Sequence, residues 1–409
     1  MLGRIGVAAC AVFGLFSAVE SAFPSVLPPS QAWTRDLGNL SGTVDGIPVG
    51  GFGTGTVTLR SDGAFYTARL SGAVASDSFS DDTNIGFYYY DSALGGSVKQ
   101  SPLNGTSLGT GQATYAALFP EAWISCTGTA FPVTARLTEF SPLIPGDYVN
   151  SSLPVAVYQW QLTNATSVTH TTAILLTWDA AQTTFFAPMQ GSLAADSGII
   201  LGTQGNEFAL AAGTASGARV TCGEAASRAT LTAAFAASGS LSGLTSTVSA
   251  TSGVGGVAFS VTLAPGQSVR VPITLAWDIP IVAPNGTGGP EWFREYTRYV
   301  GTSGTNAAAL ADRAQANATS WENAVDAWQN GILSNPNYPG WLDTTLFNEL
   351  YETTAANTFW VTGPANSSAK GEPSGQDRFS LEECYDYQYY GTSDRSLSLS
   401  PAKTWKPIV

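Results

Sequence analysis

Over much of residues 23–285, apolar side chains fall at every second position. Ala156, Tyr158, Trp160 and Leu162 share one face of a segment, and Ile174, Leu176 and Trp178 share one face of the next. Val257, Phe259, Val261 and Leu263 alternate up to the turn Ala264-Pro265-Gly266-Gln267. Val269, Val271, Ile273, Leu275 and Trp277 then alternate away from it, which reads as a β-hairpin. Period-two patterning of this kind predicts half-buried antiparallel strands, and many such strands must cover one another in a sandwich or barrel. The Gly/Ser/Ala/Thr-rich stretch 213–256 carries no clear period and is read as strands joined by loose loops.

After Gly289 the period changes. Trp321, Val325, Trp328 and Ile332 lie at i, i+4, i+7 and i+11, and Leu346, Phe347, Leu350 and Tyr351 repeat the pattern after the break at Pro336, Pro339 and Gly340. These are amphipathic helices. The chain is therefore expected to be multidomain, β then α, with an antiparallel β-sandwich over 23–285 and a helical domain over 290–409.

Residues 1–22 read as a secretory signal peptide: Arg4, an apolar run from Ile5 to Val19, then Glu20-Ser21-Ala22. The run is shorter than the ~20 residues a spanning helix needs, so no transmembrane segment is expected and the mature protein is expected outside the cell. Seven Asn-X-Ser/Thr triplets, at Asn39, Asn104, Asn150, Asn164, Asn285, Asn317 and Asn366, are candidate glycosylation sites on that route. A formal net charge of −13 with 11% charged residues makes nucleic acid and anionic lipid poor partners, whereas neutral sugars are compatible.

Several chemistries are set aside on the residues present. His170 is the one histidine, and it is not read as the base of a hydrolase triad. Neither H-E-x-x-H nor C-x-x-C spacing occurs, so no metal site is expected. Gly50-Gly51-Phe52-Gly53-Thr54-Gly55 is followed by a strand pattern, not a helix, and is read as a turn where backbones approach closely.

Carboxylate chemistry remains. Residues 379–394 hold Glu382, Glu383, Asp386 and Asp394 among four tyrosines. Such a segment suits sugar recognition, with rings on C–H faces and carboxylates on hydroxyls or at an anomeric carbon. Composition alone favours the plainer alternative, an acidic aromatic loop packed on the sandwich.

Four segments, in order, resemble the glycoside hydrolase family 116 β-glucosidases, which include the non-lysosomal (bile acid) glucosylceramidases. Residues 46–55 with Arg60 and Gly63-Ala64-Phe65 are similar to the family's opening glycine motif. Residues 140–145 and 151–155 are similar to its mid-sandwich signature. Residues 341–351, on to Thr358-Phe359-Trp360, look like its first barrel helix, and 383–387 with 390–394 look like its nucleophile segment.

The resemblance implies an N-terminal β-sandwich followed by an (α/α)6 barrel, and a retaining β-glucosidase acting on a β-glucoside or glucosylated lipid without metal or organic cofactor. Counting back from Asp394 puts the nucleophile at Glu383 and not Glu382, with Asp394 and Thr392 on the glucose unit. The family's acid/base Asp lies beyond Val409, so the barrel is expected to be incomplete and the chain as written to show little or no activity. The alternative from a different class is a non-catalytic secreted sandwich that binds carbohydrate or a partner. It needs an exposed aromatic strip, for which Trp160 and Trp178 are the candidates, although alternation assigns both to the core.

Overall fold

The computed structural model describes residues 27–36, 46–59, 65–68, 70, 85–95, 98–100, 111–179, 184–185, 198–203, 205–214, 217–242, 244, 253–283, 289–354, 358–369 and 378–381. The segment 1–22 read as a leader lies outside them.

Two antiparallel sheets face each other. The larger has nine strands, in spatial order Trp33–Asp36, Ala113–Leu118, Glu121–Cys126, Thr134–Phe140, Val155–Thr163, Ser268–Asp278, Asn206–Ala212, Gly198–Thr203 and Thr184–Phe185. The smaller has five: Arg219–Ala225, Val254–Leu263, His170–Asp179, Gly86–Asp91 and Val98–Gln100. The alternating residues named above all enter the one core between them, from Ala156 through Trp277. Phe87 meets Tyr158 and Trp160 edge-on, with centroids at 5.1 and 5.2 Å. Each fully buried side chain of this size stabilises the fold by about 1.5–3 kcal/mol, and each edge contact adds about 0.5–1.5 kcal/mol. Trp160 and Trp178 are buried, so they form no exposed aromatic strip.

The structure corrects the expected hairpin at 257–277. Val254–Leu263 pairs with His170–Asp179 in the smaller sheet, and Ser268–Asp278 pairs with Val155–Thr163 in the larger. The turn at 264–267 is an arch between sheets. A second arch at 163–170 lies beside it, and Asn164 ties the two. Its side-chain amide donates to the carbonyls of Val168 (2.8 Å) and Leu263 (2.9 Å), and its backbone carbonyl accepts from the Gly266 amide (2.8 Å). Alternation reports which face is buried, not which neighbour supplies the ladder, so an arch and a hairpin read alike.

The stretch 213–256 is corrected as well. It contains the helix Arg228–Ser238, begun by the Ser227 side chain on the Thr230 amide and ended by Gly239 in the left-handed conformation. Leu231 and Phe235, one turn apart, pack on the outer face of the smaller sheet.

The helical pattern after Gly289 becomes the 27-residue helix Ala307–Leu333 and the helix Gly340–Glu349. Small residues let the long helix lie close on the larger sheet: Ala307, Ala311, Ala314 and Ala318, with Leu310 and Trp321, cover Val155, Val157, Ala209, Ala211 and Ala276. Trp328 and Phe347 then stack edge-on at 5.2 Å over Ala116, Leu118 and Trp123. Trp341 is 70% exposed. Among the described residues no helix is long and apolar enough to cross a membrane.

Helices do not fill this region alone. Ile281–Val282, Trp292–Arg294, Thr358–Pro364 and Arg378–Leu381 form a four-stranded sheet. Thr358-Phe359-Trp360, expected to continue the helix from Trp341, is a strand. The run Thr358, Phe359, Trp360, Val361, Thr362 is β-branched or aromatic throughout, and such residues suit a pleated surface better than a helix.

Candidate functional site

The glycine-rich loop 50–55 is the meeting point of three of the four segments that carry the sequence resemblance. The Gly50 amide donates to the Ser141 hydroxyl (2.7 Å), which donates in turn to the Val155 carbonyl (2.7 Å). The Phe52 amide donates to the Ser151 carbonyl (2.8 Å). A Cβ on Gly51 would lie 2.5 Å from the Leu153 carbonyl oxygen. Gly53 has φ +71°, and a Cβ there would collide with the backbone nitrogen of Trp360 and sit 2.8 Å from its Cβ. Only glycine fits both the conformation and the approach. The loop is thus a backbone junction, as its sequence suggested, and the strand Thr56–Leu59 follows it.

Buried polar side chains hold the junction. The Trp277 indole donates to the Thr54 carbonyl (2.9 Å). The Arg294 guanidinium, 1% exposed, donates to the carbonyls of Gly53 (3.3 Å) and Leu70 (2.7 Å). Trp360 completes the contact: its ring meets Phe52 and Tyr148, each at 6.3 Å, and its carbonyl accepts the Glu295 amide (2.9 Å). Asp278, fully buried, links the sandwich to the long helix by accepting from the Tyr296 hydroxyl (2.8 Å), the Asn306 amide (2.7 Å) and the Asn306 side chain (2.9 Å). Burial, and then the Asp278 charge, push the Tyr296 phenol well up, so it remains a neutral donor.

From this junction the chain runs toward the acidic aromatic segment. Trp360 is the register partner of Phe379, and Thr358 of Leu381. Leu381 is followed by Glu382 and Glu383. Glu383, Thr392 and Asp394 lie outside the described residues, as do Asn39, Asn104 and Asn285.

Four sequons are described. Asn150 donates to Asp147 and accepts from Arg313. Asn317 donates to the Arg313 carbonyl within the long helix. Asn366 donates to the Gly289 carbonyl. All three are half-buried. Asn164 differs from these: it is fully buried, and both of its amide hydrogens go to carbonyls. His170 is spent on Asp91, with Nδ1 to Oδ1 at 2.7 Å.

Sequence reasoning missed Arg294 and the carboxyl groups beneath the long helix, Glu121, Glu322 and Asp326. The available signal was a row of polar residues, Glu322, Asp326 and Gln329, at helical spacing beside an apolar stripe. Burial pushes the Glu121, Glu322 and Asp326 carboxyls above the ordinary range.

A model of the family described as beta-glucosidase 2, glycosyl-hydrolase family 116 N-term, matches residues 46–321, well over half of the chain. Among solved structures, a protein described as a kojibiose phosphorylase from the human microbiome aligns at 8% identity and TM-score 0.31, over 76% of this chain and 31% of its own. A mutant of the heparan sulfate lyase HepC from Pedobacter heparinus aligns at 8% and 0.30, over 59% and 36%. A protein described as an aldose 1-epimerase from Klebsiella pneumoniae subsp. pneumoniae aligns at 9% and 0.25, over 69% and 90%. The chain spans about a third of the first two, and likenesses of this size say nothing of its activity. The family match covers the sandwich from Gly46 onward, the glycine loop and the first half of the long helix. The chain therefore belongs to glycosyl-hydrolase family 116, carrying the N-terminal domain of that family.

Proposed function

We propose that the chain is the front part of a secreted retaining β-glucosidase, with the described helices beginning an (α/α)6 barrel. Glu383 attacks the anomeric carbon as the glycosidic C–O bond breaks, and a second carboxyl group protonates the leaving oxygen. Water, deprotonated by that same group, then releases glucose from the glucosyl-enzyme with retained configuration. Asp394 and Thr392 bind the glucose hydroxyls. The reaction uses no metal or organic cofactor. The substrate is a β-glucoside, with a glucosylated lipid such as glucosylceramide as one form. Glycans on the exported chain attach at sequons other than Asn164.

One observation carries this reading: the family's N-terminal domain matches residues 46–321, and the strand Arg378–Leu381, paired with Thr358–Val361 beside the glycine loop, is followed in sequence by Glu382 and Glu383. The test is β-glucoside hydrolysis by a form extended through the complete barrel, with the product anomer read by NMR. β-Glucose as the first product, lost in Glu383→Gln, supports the proposal. α-Glucose as the first product would refute it.

A further inference from the structure

One turn of the larger sheet is buried where turns usually meet water. Ala113–Leu118 and Glu121–Cys126 pair with Leu118 opposite Glu121, so Phe119 and Pro120 alone connect them. Water normally satisfies the backbone of such a connection. Here every residue from Leu118 to Glu121 is buried, so the backbone groups of the tip need protein partners. Two helices supply them. The side-chain amide of Gln329, buried on the long helix, donates to the carbonyls of Leu118 (2.9 Å) and Phe119 (3.2 Å). The side-chain carbonyl of Asn348, on the helix Gly340–Glu349, accepts from the Phe119 amide (3.0 Å).

The apolar contacts converge on the same spot. Trp328 and Phe347, each one residue before its amide partner, meet edge-on over Leu118. The shorter helix is also tied to the strand beside the hairpin: the Thr344 hydroxyl donates to the Gln31 carbonyl (2.8 Å), two residues before Trp33–Asp36, which pairs with Ala113–Leu118. The linker 336–340 between the helices is exposed throughout. The mutual placement of the two helices is therefore set where they meet the hairpin tip and not by their connection.

We propose that the tip at Phe119-Pro120 is a key that joins the two helices into one docking unit, so that neither leaves the sandwich without the other. The coupling has a physical cause. Lifting the end of the long helix strands two buried carbonyls, and lifting the shorter helix strands a buried amide. Either event admits water to the tip. Water then competes for the groups that the remaining helix still holds, and its hold weakens.

The test is hydrogen exchange on the full 409-residue chain at one pH. Asn348→Ala removes the acceptor on the shorter helix and should speed exchange by about ten-fold or more over both 340–349 and 325–333, while Val155–Thr163 stays unchanged. Gln329→Met, which removes the donor on the long helix and keeps its bulk, should loosen the same two segments. Loss confined to the helix that carries the substitution would overturn the proposal in either variant. The wild type gives a check that needs no variant to fold: at low denaturant the slowest amides of 325–333 and 340–349 should open with the same denaturant dependence. Different slopes for the two helices would overturn the proposal as well.

Discussion

Replacing Gly53 by alanine tests the junction where the sequence segments converge. Two costs add at this position. A non-glycine residue at φ +71° pays about 1–2 kcal/mol for the left-handed conformation. The new methyl would also lie 2.8 Å from the Trp360 Cβ and closer still to its backbone nitrogen, where ordinary carbon contacts are about 3.5–4.0 Å. Relieving such overpacking costs about 1–3 kcal/mol. Gly266→Ala is the internal control, because Gly266 has φ +80° and a methyl there would meet nothing within 4 Å. It shares the first cost and escapes the second. Guanidinium unfolding followed by tryptophan emission should therefore place Gly53→Ala below Gly266→Ala by about 1–3 kcal/mol at unchanged m-value. Equal losses would mean that Trp360 does not sit against the glycine loop, and the path from sandwich to Leu381 would have to be redrawn.

Three other outcomes are expected. Asn164→Ala should lower the urea midpoint, with about 1–3 kcal/mol for the buried Leu263 carbonyl left unsatisfied, and glycopeptide mapping of the exported chain should find Asn164 unmodified. Burial raises the Glu139 carboxyl in the inter-sheet core well above its ordinary range, so it stabilises the fold below that range and costs stability as pH rises. Glu139→Gln should then match wild type near pH 5 and exceed it near pH 8 in melting temperature. Trp341→Gln should change stability by no more than about 0.5 kcal/mol while reducing hydrophobic-dye binding, because this side chain is 70% exposed.

The inward faces of the sandwich were legible because apolar alternation has one physical cause, burial of one side of a strand. From Ala156 to Trp277 every residue of the alternating sets lies in the core. Partner choice was not legible. The arches at 163–170 and 263–268 put consecutive strands in opposite sheets, and Asn164, which ties the two arches, carried only a sequon in the sequence. The helix Arg228–Ser238 was hidden by its composition: Ala and Thr dilute the apolar period to Leu231 and Phe235, and the caps Ser227 and Gly239 were the remaining cue. Thr358–Trp360 was misassigned although its own β-branched and aromatic residues favoured a strand, because the family pattern outweighed local propensity. Of the candidate site, the close backbone approach at residues 50–55 was legible from the glycines. Arg294 and the buried carboxyls Glu121 and Glu322 were not, since their surroundings exist only once strands and helix distant in sequence are stacked.

Labelling with a 2-deoxy-2-fluoro-β-glucoside that carries a good leaving group addresses the catalytic assignment. Fluorine at C2 slows both steps, and the leaving group restores the first, so the glucosyl-enzyme accumulates and can be mapped by peptide mass spectrometry. With the barrel complete, the label should fall on Glu383, and Glu383→Gln should take none while Glu382→Gln is labelled as wild type. A label on Glu382, or retaining hydrolysis with neither glutamate labelled, would contradict the assignment of this segment as the nucleophile of the enzyme.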